Sequence, residues 1–131
     1  MDPVTLAIVA ALATGVAGGA TEVGKNVLVD AYEAVKAAIK NKLGIDSEAA
    51  KAVDALEKKP DSAGRRETLK EELAAVGADK DPEILRVAEA LLEKLKAEPG
   101  GAQIVQQVTG SYNAVAAQGS TATVNVNQPK D

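Results

Sequence analysis

The sequence predicts an α+β protein. A bundle of about five helices fills residues 1–100, and a short β-forming tail of two to three strands occupies residues 101–131 and pairs between chains. Three observations carry this reading. Helix start and stop signals recur five times before residue 101. The hydrophobic period then changes from about 3.6 to 2 near Gln103. Finally, Gly101 to Gln128 holds no charged residue, whereas the residues before it are dense in Lys, Glu and Asp.

Each helix is bounded by its own chemistry. Asp2 is an N-cap with Pro3 at the first helical position, where the missing N–H costs nothing, so a helix runs from Pro3 to about Val16 and breaks at Gly18-Gly19. Thr21 caps the next, from Glu22 to about Leu43. Its Val27, Ala31, Val35 and Ile39 recur every fourth residue, Leu28 and Tyr32 widen the same face, and Gly44 stops it. Asp46-Ser47 opens a third, to about Lys58, with Ala49, Val53 and Leu56 inward; Pro60 ends it. Asp61 or Ser62 opens a fourth through Leu69, Leu73 and Val76, closed by Gly77. Asp81-Pro82 starts the fifth, whose Ile84, Leu85, Ala88, Leu91, Leu92 and Leu95 form an apolar stripe that ends at Glu98-Pro99-Gly100-Gly101.

The tail reads differently. Ile104, Gln106 and Val108 alternate with Val105 and Gln107, and Gly110-Ser111 makes a turn. Tyr112, Asn113 and Val115 lie in a second alternating run, and Gln118-Gly119-Ser120 makes the next turn. Ala122, Val124 and Val126 then share one side. Gly110-Ser111 and Gly119-Ser120, with Val115 and Val124 at matching offsets, form a weak repeat. High β-propensity, absent charge and stackable amides favour pairing between chains, and nothing here blunts a strand edge. A short meander is marginal alone, so the tail must pair with other chains, pack on the helices or stay disordered. The first of these makes it an assembly interface of Ile104, Gln106, Gln107, Val108, Gly110, Tyr112, Asn113, Val115, Gly119, Val124 and Val126.

Composition narrows the chemistry. The chain of 131 residues has net charge −4 and lacks His, Cys, Phe and Trp. It offers no basic stripe for nucleic acid, no imidazole or thiol, and no common zinc ligand set. Asp46, Asp61 and Asp81 read as helix caps, and the Gly-rich run 15–20 lacks the strand and the Gly-Lys-Ser/Thr ending of a phosphate loop. The expectation is a non-enzymatic cytoplasmic protein with no cofactor and no metal.

Val4 to Ala20 is uncharged and sits at the lower edge of bilayer-spanning length. It reads as a buried helix, as a segment with conditional membrane contact, or as a membrane or cleaved segment, although the acidic start argues against a secretory signal. Leu6, Ile8 and Val9 are its candidates for membrane or helix packing. Ala7, Ala11, Gly15 and Gly19, four apart, allow close helix approach.

The opening MDPVTLAIVAALATGVAGGA, the stretch DAYEAVKAAIKNKLG and the run EILRVAEALLEKLK resemble bacterial Bell-type helical effector domains. The tail QQVTGSYNAVAAQGSTATVNV is similar to bacterial amyloid-signalling motifs and, more distantly, to the RIP homotypic interaction motif. The matching positions are Gln107, Val108, Gly110, Tyr112 and Asn113, and Thr109 departs from the core pattern. The resemblance implies a cell-death effector in bacterial innate immunity whose tail adds to a similar tail on an NLR-type receptor, forming a filament. The alternative is a structural homo-oligomer closed by β-pairing of the tails.

Overall fold

The computed structural model describes residues 2–14, 25–98 and 100–119, with residues 25–26 and 111–119 as backbone only. Among the described residues every regular element is helical: α1 (Pro3–Ala13), α2 (Lys25–Leu43), α3 (Glu48–Lys58), α4 (Ala63–Ala75), a 3-10 turn (Ala78–Lys80), α5 (Pro82–Ala97) and α6 (Gly101–Gly119).

α1 is the axis of the molecule. It packs against α2, α4, α5, α6 and the 3-10 turn. Eight of its eleven residues are buried, on every side of the helix. A helix apolar all round is stable only when enclosed, and the Val4–Leu12 run has that character. Its N-terminus is closed by Asp2, which accepts a 2.8 Å bond from the Thr5 N–H and a 2.7 Å bond from the Thr5 hydroxyl. That second bond satisfies the fully buried Thr5 hydroxyl.

The surrounding helices follow their sequence signals. α2 and α5 lie along each other, and Lys42 near the end of α2 reaches Asp81 at the start of α5 at 3.7 Å, so they run antiparallel. Asp81 caps α5 by accepting from the N–H groups of Glu83 and Ile84 at 2.9 and 3.1 Å. At α3 and α4 the caps are Ser47 and Ser62, which accept from Ala50 and Arg65, each at 3.2 Å. Asp46 and Asp61, expected in those roles, stand one residue earlier. Gly44 (φ +104) and Gly77 (φ +73) take the left-handed conformation after α2 and α4. Leu28, Tyr32, Val35, Ile39, Leu56, Leu69, Leu73, Ile84, Leu91 and Leu95 form one apolar core with the buried face of α1. Val27 and Val76, expected inward, are exposed.

The expected α+β class is overturned. Residues 101–119, expected to form strands, are the helix α6, packed on α5 and α1. The physical cause lies in the Ile104-Val105-Gln106-Gln107-Val108 run. Read with period 2 it puts Ile104 and Val108 on one face of a strand. Read with period 3.6 it puts Ile104, Val105 and Val108 on one side of a helix, and that side finds apolar surface. Val105 and Val108 are each 7% exposed and Ile104 is half-buried, while Gln103, Gln106, Gln107 and Gly110 face solvent. Packing on the bundle overrides the β-propensity of the valines. Ser120 to Gln128, including the last expected strand, lies outside the described residues.

Candidate interaction surface

α6 joins the bundle through a narrow reversal after α5. The Glu98 N–H bonds to Leu95 O at 3.2 Å, and the Gly101 N–H bonds back to Glu98 O at 2.9 Å. Gly100 has φ +82. Gly101 lies so close to the Leu95 carbonyl that a Cβ would overlap it. Each glycine is therefore required by geometry: Gly100 for its left-handed backbone, Gly101 for the missing side chain. The pair that looks in sequence like a helix breaker is a tight corner that turns α6 back onto α1.

Among the described side chains of α6, Val105 and Val108 are buried at the seam, with Ile104 and Thr109 partly covered. The Thr109 hydroxyl donates to Val105 O at 2.9 Å, inside the helix. A cleft of about 490 Å³ runs along one edge, lined by Lys96, Ala102, Val105, Gln106, Thr109 and Gly110. A second, of about 230 Å³, lies along the other, lined by Ala13, Arg66, Ile104, Gln107 and Val108. The two clefts thus flank residues 102–110 of α6 on either edge.

The expected interface residues separate accordingly. Ile104 and Val108 face the bundle, beside Val105, which was not among them, and Gln106, Gln107 and Gly110 face solvent. Tyr112, Asn113, Val115 and Gly119 fall in the second half of the α6 backbone, where the Gly110-Ser111 turn is replaced by continuous helix. Val124 and Val126 lie outside the described residues. Of the candidates on the first helix, Ile8 and Val9 are enclosed in the core, and Leu6 is partly buried against it.

A polar constellation was missed. The buried Tyr32 hydroxyl donates to Glu57 Oε2 at 2.6 Å. Lys36 Nζ meets the same oxygen at 2.7 Å and lies 5.8 Å from the Tyr32 ring centroid. Burial, the Glu57 bond and the nearby carboxylates of Glu57, Glu33 and Asp54 push the Tyr32 phenol well up. At Lys36 burial disfavours the charge, and the Glu57 bond and the same carboxylates outweigh it, so the ammonium also moves up. With both protons held, the group is a staple between α2 and α3 rather than a proton-transfer site. The signal available in sequence was Tyr32 and Lys36 four apart on one helix face.

Among the described residues no group of carboxylates is placed to hold a metal ion, and no helix is long and apolar enough to cross a membrane. The Het-E N-terminal domain family matches the sequence over residues 1–131. The chain belongs to the Het-E N-terminal domain family. Neither a curated protein nor a solved structure gives a match. Het-E N-terminal domains are helical domains associated with NLR-type signalling and cell-death proteins, and family membership is consistent with a coarse signalling role.

Proposed function

We propose that this domain is a non-enzymatic module of cytoplasmic NLR-type signalling, and that it transmits by association of copies. The observation that carries the reading is the family match across the whole chain. Two features of the molecule support it. The chain has no His and no Cys, so it offers neither an imidazole base nor a thiol nucleophile. The uncharged α6 packs over the apolar α1, with clefts along both edges of residues 102–110, a feature suited to contacts between proteins. The partners in this reading are further copies of the chain and an NLR-type receptor that brings them together. No lipid is needed: α1 has 11 residues, roughly 17 Å at 1.5 Å per residue, about half of a bilayer core.

The test is forced clustering in cells. The full chain is fused to a drug-inducible dimeriser, and growth and soluble nucleotide pools are followed after the drug. The expected result is growth arrest or death that depends on the drug, with nucleotide and nicotinamide cofactors unchanged in lysates given purified clustered protein. Direct turnover of such a cofactor would contradict the non-enzymatic reading. Absence of any response to clustering would contradict signalling by association.

A further inference from the structure

We draw no further inference here: the strongest candidate, the uncharged stripe of Gln103, Gln106, Gln107 and Gly110 on the solvent side of α6, is an unpartnered helix face, and nothing in the structure shows what covers it.

Discussion

Tyr32 sits fully buried between α2 and α3 with its hydroxyl on Glu57, which also holds Lys36. Both protons are bound more tightly in the folded chain than in the unfolded one, because the Tyr32 phenol lies above its ordinary 10.0 and the Lys36 ammonium above its ordinary 10.5. A raised folded-state value gives stability that is complete below the unfolded value and is lost as pH climbs beyond it. Thermal melts should therefore show stability falling from about pH 10 upward, as the unfolded chain releases protons that the folded chain keeps. Tyr32→Phe removes the phenol's share of that fall and costs about 1.5–3 kcal/mol at neutral pH through the lost hydrogen bond to a carboxylate. Parallel alkaline melting curves for the two proteins would contradict the assignment. Asp2→Ala removes the α1 cap and leaves the buried Thr5 hydroxyl without its carboxylate partner. The expected loss is about 2–4 kcal/mol by chemical denaturation, the sum of a cap and an unsatisfied polar group. Asp2→Ala with Thr5→Val should recover part of it.

The helices differ in how firmly the bundle holds them, and the same difference decided how well each was legible in the sequence. α1 is enclosed on all sides, and Ile8→Ala opens a cavity at its centre, with an expected cost of about 2–5 kcal/mol. Gly101→Ala places a Cβ into the Leu95 carbonyl, so α6 must shift off α5. The loss should show as faster exchange of α6 amides, with α2 and α3 little changed. Equal protection of α6 in that variant would mean the corner is looser than described. For α3, α4 and α5 both ends and the inward stripe could be read from caps, glycines and the 3.6 period, because local chemistry and burial agree there. The capping residue was off by one at α3 and α4, since Asp and Ser are adjacent and either can accept the bond. Val27 and Val76 were placed inward because they continue an apolar spacing past the point where a neighbour covers it. α6 was misread for a deeper reason. Ile104-Val105-Gln106-Gln107-Val108 fits period 2 and period 3.6 equally, and its valines and threonine favour strands in isolation. What decides for the helix is the uncovered face of α1, a hundred residues away in sequence and absent from any local pattern. The Tyr32 staple was invisible for a similar reason, because its third member, Glu57, comes from another helix.

At the scale of the whole molecule, the resting domain hides its most apolar helix, and this sets what it can do to a lipid surface. Ile8 is enclosed and Leu6 partly covered, so the intact protein should leave vesicles of neutral or anionic lipid sealed to an encapsulated dye. Leu6→Glu with Ile8→Lys should lower the melting temperature markedly, because it places charge in the core. Dye release by the unclustered protein, lost in that variant without loss of stability, would place α1 at the surface instead. The wider account depends on one arrangement: a central α1, covered on its last side by a helical residue 101–119 segment. Residue-resolved hydrogen exchange with backbone chemical shifts on the full chain tests it most directly. The account predicts α1 amides exchanging only on global unfolding, with helical shifts through α6 and protection there at a lower level, lost before the rest of the bundle opens. Extended-strand shifts across residues 101–119, or α1 amides that exchange as fast as those of α6, would contradict it.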